Sequence, residues 1–196
     1  MILDDFNWID NLTILESSDE KKFVLRGVFA RAGKPNLNKR IYPIPVMQQA
    51  LEEIQEDIKQ RGFVGTLDHE PTPKVSVKEI SHVITKLSLA PDGAVIGEAE
   101  ALDTVPGKHL QELMKSRIRL GVSTRGTGAV KPYSGPLGEG LVEVLPGYKM
   151  RAIDIVFNPS AKAYPQYVIE SADEKIWLGS TQKFREVWTN VFGEKF

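Results

Sequence analysis

Ser123 sits in the run Gly121-Val122-Ser123-Thr124-Arg125-Gly126, with Arg119 just upstream. Ile118, Leu120 and Val122 alternate with Arg119, Gly121 and Ser123, so the stretch reads as a strand with Ser123 on its more polar face beside both arginines. A hydroxyl among cations is a candidate nucleophile. It is too weakly acidic to attack an amide at neutral pH unless a general base stands beside it.

The chain has 3 histidines to supply that base. His69 follows the predicted strand Phe63 to Leu67 in a Leu-Asp-His-Glu-Pro run. Pro71 and Pro73 stop further pairing there, so the imidazole would be held by the scaffold yet reach a substrate. His82 falls between Ile80 and Ile84 inside a strand, where a hydrogen-bonded structural histidine is the ordinary reading. His109 lies beside the apolar stripe of a helix and reads as exposed.

Asp154 is flanked by Ile153 and Ile155, with Ala152 and Val156 on its own side, so whichever face it uses the carboxylate is at least partly buried. A buried carboxylate needs a hydrogen-bonded or charged partner. A histidine N–H would satisfy it, fixing the tautomer so that the other ring nitrogen is free to take the serine proton. Capping a turn or pairing with an arginine would satisfy it equally. The run around Ser123 is not a G-x-S-x-G nucleophile elbow. Asp68, His69 and Glu70 lack the H-E-x-x-H or H-x-x-E-H spacing of a zinc site, so neither metal nor cofactor is expected.

Several elements must bring these groups together. Phe23 to Ala30 is a buried strand, paired with the weaker Leu12 to Leu15. Arg31 to Pro45 is an ordered surface loop rich in Gly, Asn, Pro and cations. Val46, Met47, Ala50, Leu51, Ile54 and Ile58 form a helical stripe set off by Pro45 and ended by Gly62. Val75 to Leu89 and Ala94 to Leu102 form a hairpin through Pro91-Asp92-Gly93. Asp103 or Thr104 caps a helix running to about Ser116, packed through Leu110, Leu113 and Met114. Leu141 to Leu145 and Met150 to Phe157 are further strands. Phe184, Val187, Trp188, Val191 and Phe192 mark an amphipathic tail helix that docks on its own domain or on a partner.

At 196 residues and 41% apolar content, one domain with a short appendage is expected: a main domain over 1–165, then a connector and helix over 166–196. With 25 basic against 26 acidic residues the net charge is -1, which gives no footprint for nucleic acid or anionic membranes. There is no cysteine, so thiol catalysis, thiolate metal sites and disulfides are excluded. No secretory leader or membrane-length apolar run is visible, and the composition reads as a soluble intracellular protein.

Taken together, Asn38-Lys39-Arg40-Ile41-Tyr42-Pro43, Leu67-Asp68-His69-Glu70-Pro71, Ile80-Ser81-His82-Val83-Ile84, the Ser123 run, and Asp154-Ile155-Val156 through Pro159-Ser160-Ala161 resemble the prohead core proteases of tailed phages, in order and in spacing. The resemblance covers about Asn38 to Ala161. It implies an α+β, mainly β fold: a mostly antiparallel β-barrel flanked by helices, related to the herpesvirus assemblins. It also implies a serine endopeptidase that digests scaffold and trims capsid proteins inside the immature prohead, assembled in the host cytoplasm, and finally cleaves itself. Carried over by position, Ser123 is the nucleophile and His69 the base. Asp154 is the third member, with His82 as the alternate.

Oxyanion donors implied by the resemblance are backbone N–H groups near Ser160 and Ala161, or the Arg125 guanidinium. Cleavage after glutamate would call on a cationic pocket, for which Arg40, Arg119 and Arg125 are the candidates. Partners would be the scaffold and major capsid proteins, and a homo-oligomer stays open. The rival readings are a non-catalytic scaffold or assembly module with the same fold, and a metal-dependent hydrolase using Asp68 and His69.

Overall fold

The computed structural model describes residues 2–7, 13–16, 23–69, 74–116, 118, 120–156, 169–171, 174–176 and 182–194, with backbone alone for 2–7, 13–16, 169–171, 174–176 and 182–184. The strands in the first third are β1 (Ile2–Asn7), β2 (Thr13–Glu16), β3 (Phe23–Arg31) and β4 (Arg40–Ile41). Helices α1 (Ile44–Glu53) and α2 (Gln55–Lys59) follow, then β5 (Val64–Thr66), β6 (Ile80–Leu89) and β7 (Ala94–Ala101). After α3 (Val105–Lys115) come β8 (Gly121–Thr127), β9 (Val130–Pro132), β10 (Val142–Val144) and β11 (Lys149–Val156). The tail holds β12 (Ile169–Ser171), β13 (Glu174–Ile176) and α4 (Gln182–Phe192).

Two sheets carry the molecule. One has the order β2-β3-β7-β6-β5, the other β1-β8-β11. The smaller groups β4-β10-β9 and β12-β13 stand apart from them. Pairing within the two main sheets is antiparallel. Among the described residues one parallel bridge pairs them, Leu67 to Ile155, and beside it the Asp68 N–H donates to the Ile155 carbonyl at 2.7 Å. Among the described residues no pairing joins the outer strands β1 and β2, so the expected closed barrel is not found as a closed ring.

The hairpin forms as its turn residues dictate. Gly93 takes φ +84, its N–H donates to the Ala90 carbonyl, and Asp92 Oδ1 accepts from the Ala94 N–H. β6 starts at Ile80, later than expected, because Val77–Glu79 is a 3-10 turn. The first helix starts at Ile44, ahead of the predicted Val46, since Pro45 lies in the first turn, where its missing N–H costs nothing. It breaks at Ile54. There the Gln55 side-chain amide reaches the Leu51 carbonyl at 3.0 Å, competing with the helix for that acceptor, and also the Leu87 carbonyl at 3.2 Å. The left-handed residue that ends α2 is Arg61, φ +58, one position before the predicted Gly62.

β7 is covered on both faces. Its inward residues Val95, Ala99 and Ala101 pack with Phe29, Ile84, Leu87 and the helical residues Met47, Leu51, Leu110 and Met114 in the main core. Thr104 caps α3 through a hydrogen bond from the Gly107 N–H at 3.1 Å. On the outer face, Ala94 and Ile96 join Val28 and Ala90 beneath Trp188 of α4, which is fully buried. The tail helix therefore docks on its own domain. Arg26 stacks over the Trp188 ring at 4.6 Å while its Nε holds Glu98 at 2.7 Å, and Lys86 pairs with Glu194. No helix among the described residues is long and apolar enough to cross a membrane.

Candidate active site

The register of β8 against β11 sets Ser123 directly opposite Asp154 and Arg125 opposite Ala152, with a bulge at Arg151. Cross-strand partners share a face, so Ser123, Arg125 and Asp154 emerge on one side. That side is polar, as the alternation predicted, yet wholly inside: Ser123, Arg125 and Asp154 each have 0% exposure. β5 ends against this pair. Asp68, the second residue beyond it, adopts φ +57, a left-handed conformation that an aspartate tolerates better than most side chains. The turn delivers His69.

His69 Nδ1 lies 2.9 Å from Asp154 Oδ2, and its Nε2 lies 2.7 Å from Ser123 Oγ. An ionised carboxylate only accepts, so Nδ1 carries the hydrogen and Nε2 is left to accept from the serine hydroxyl. Asp154 is held on every side. Its Oδ1 accepts from the Thr66 N–H at 3.0 Å and from Arg125 Nη2 at 3.1 Å, and Thr66 Oγ1 stands 3.0 Å away. Arg125 Nε sits 2.9 Å from Oδ2 in an ion-pair contact. Burial works to raise the Asp154 pKa, but the His69 hydrogen bond, the Thr66 N–H and the Arg125 charge together outweigh it and hold the carboxyl below its ordinary value. Both partners weighed for Asp154, a histidine and an arginine, are present together.

His82 does not join this chain. It is fully buried on β6, where its Nε2–H donates to the Ile153 carbonyl at 2.8 Å and its Nδ1 accepts from Ser81 Oγ at 2.8 Å. Burial, above all, pushes its pKa down and keeps it neutral. Nε2 ties β6 to β11 one residue from Asp154, and Nδ1 is taken up by Ser81 of the same strand, so both nitrogens of this alternate third member are engaged away from His69. The ring reaches Ile153 across Gly65, whose missing Cβ would stand 1.8 Å from the Ile153 oxygen and 2.4 Å from His82 Nε2. His109 is exposed on α3, as expected.

Other candidates are placed differently. Arg125, a candidate for the oxyanion or for a substrate carboxylate, is fully buried and directs its guanidinium at Asp154, with Nη2 3.1 Å from Oδ1 and Nε 2.9 Å from Oδ2. Arg40 stands on β4, in a different sheet from Ser123, with its N–H bonded to Asn36 Oδ1. Arg119, Ser160 and Ala161 lie outside the described residues. Sequence reasoning missed Thr66 and Gly65. The only hint was their position just before Leu-Asp-His.

The fold itself has a solved counterpart. The solved structure of the bacteriophage T4 capsid assembly protease matches with a TM-score of 0.73 at 22% identity, covering 81% of this chain and 98% of that one. The two share a mostly β fold with few helices. The family model described as prohead core protein serine protease matches residues 9–173. The prohead core protein protease of Enterobacteria phage T4 is 30% identical over 163 residues, 78% of this chain and 74% of that protein. The chain belongs to the prohead core protein serine protease family.

Proposed function

We propose that this protein is a serine endopeptidase that cleaves scaffold and capsid proteins inside the phage prohead during maturation, after glutamate, and that it processes itself. The observation that carries the reading is the continuous hydrogen-bonded chain from Ser123 Oγ through His69 to Asp154, at 2.7 and 2.9 Å. His69 Nε2 takes the serine proton as Oγ attacks the scissile carbonyl. The imidazolium, steadied by Asp154, then gives that proton to the leaving amine, and a water deprotonated by the same nitrogen releases the acyl group. Backbone N–H groups near Ser160 and Ala161 are the proposed oxyanion donors. Arg40 and Arg119 are the proposed cations for the substrate glutamate.

The assemblin-like barrel belongs to this proposal as well, and the junction of the two sheets at Leu67 and Ile155 supports it. So does the division into a protease domain over 1–165 and a connector with helix over 166–196. For self-processing, Ile54-Gln55-Glu56 spans the α1 to α2 break and Leu110-Gln111-Glu112 lies within α3, so both must unfold to enter an extended groove. Ile169–Ser171, by contrast, is already an extended strand, so cleavage after Glu170 is expected first.

The test is direct. A fluorophosphonate probe should label Ser123 in the folded protein, and Ser123→Ala should leave purified scaffold uncut while the wild type generates new termini identified by mass spectrometry. Equal processing by the two would sink the peptidase reading and favour the non-catalytic assembly module.

A further inference from the structure

Arg125 is fully buried, yet an arginine is expensive to bury, and a methionine or leucine would fill its volume without that cost. Its position explains its presence. It lies two residues beyond Ser123 on the same face of β8, opposite Ala152, whose methyl leaves the guanidinium room to reach diagonally to Asp154. It touches both carboxylate oxygens, Nη2 to Oδ1 at 3.1 Å and Nε to Oδ2 at 2.9 Å. Oδ2 is the oxygen that also accepts from His69. Arg125 from β8 and His69 from beyond β5 act on the Asp154 carboxylate, and His82 on β6 feels its charge.

We propose that Arg125 is a positioning residue of the Ser123–His69–Asp154 chain: by contacting both oxygens of the buried carboxylate it fixes Asp154 toward the imidazole. The inference rests on the peptidase reading above. The same grip keeps Asp154 ionised, so it accepts from Nδ1 and holds the tautomer that leaves Nε2 ready for the serine.

The experiment measures, on the full chain, the rate of Ser123 labelling by a fluorophosphonate, and kcat and KM separately on a scaffold-derived peptide. Arg125→Met removes the guanidinium at similar length. Its kcat and labelling rate should fall about a hundredfold while KM holds, because the carboxylate is no longer oriented. Arg125→Lys keeps a cation without the fork. It should recover part of that loss, to about tenfold below wild type. Should the methionine variant fail to fold by circular dichroism, the lysine variant decides alone, and an unchanged kcat overturns the assignment. A folded Arg125→Met with the wild-type kcat overturns it too, as does a KM rise confined to glutamate over glutamine peptides. If Ser123 in the wild type takes no label, the peptidase reading itself fails; a labelled wild type with indifferent Arg125 variants refutes only the role given to Arg125.

Discussion

Gly65→Ala tests both the fold and the site through one methyl group. The added Cβ would stand 1.8 Å from the Ile153 carbonyl oxygen and 2.4 Å from His82 Nε2. The nearer obstacle is backbone, so no rotamer change relieves it, and β5 must retreat from β11 by more than about 1 Å. Two buried hydrogen bonds cross that gap: His82 Nε2–H to the Ile153 carbonyl at 2.8 Å, and the Thr66 N–H to Asp154 Oδ1 at 3.0 Å. Losing them costs about 1–3 kcal/mol each, and overpacking adds about 1–3 kcal/mol. The total of about 3–9 kcal/mol is a large share of the roughly 5–15 kcal/mol that holds a domain together. In urea, with an m-value of about 2 kcal/mol/M, the midpoint should drop by about 1.5–4.5 M. Adding His82→Ala should not rescue the variant, because the clash with Ile153 persists. A Gly65→Ala protein within about 0.5 kcal/mol of wild type would refute the close approach of β5 and β11.

Two further outcomes follow from burial. Because the folded protein keeps His82 neutral while the unfolded chain protonates it, its contribution is complete above about pH 6.5 and is lost as pH falls below that toward the depressed folded value. The slope is about 1.4 kcal/mol per pH unit for one proton. Asp154, also depressed, adds stability above about pH 4 that is lost only at lower pH, so the two separate, and His82→Asn should flatten urea midpoints between about pH 6.5 and 5. Trp188→Ala should undock α4 and speed hydrogen exchange of its amides while the paired β6 and β7 amides stay slow; an equally protected helix would contradict the packing assigned to Trp188.

Much of this arrangement was legible in local chemistry. Pro91-Asp92-Gly93 announces its hairpin, Thr104 its cap, and the isoleucines around Asp154 its burial, because each depends on neighbours in sequence. Ser123, His69 and Asp154 were candidates by residue type and local setting, and the family resemblance gave them their expected roles; the structure brings the three within hydrogen-bonding distance. What stayed hidden depends on cross-strand register. Nothing local says that Ala152, with the bulge beside it, lies opposite Arg125 and leaves room for the guanidinium to reach Asp154. Nor does anything local say that Gly65 lies where a histidine from the next strand must pass. The stripe on α4 told that one side is covered, but not that Val28, Ala90, Ala94 and Ile96 cover it.

Ser123 has 0% exposure. A peptide carbonyl must come within about 3–3.5 Å of Oγ before bond formation, so the peptidase reading proposed above requires the chain to part above the hydroxyl before chemistry. With Ser123 and Asp154 opposite each other in one ladder, that reading assigns the unlatching to polypeptide outside the ladder, and resting and working forms would differ by a movement, with the same three groups in place throughout.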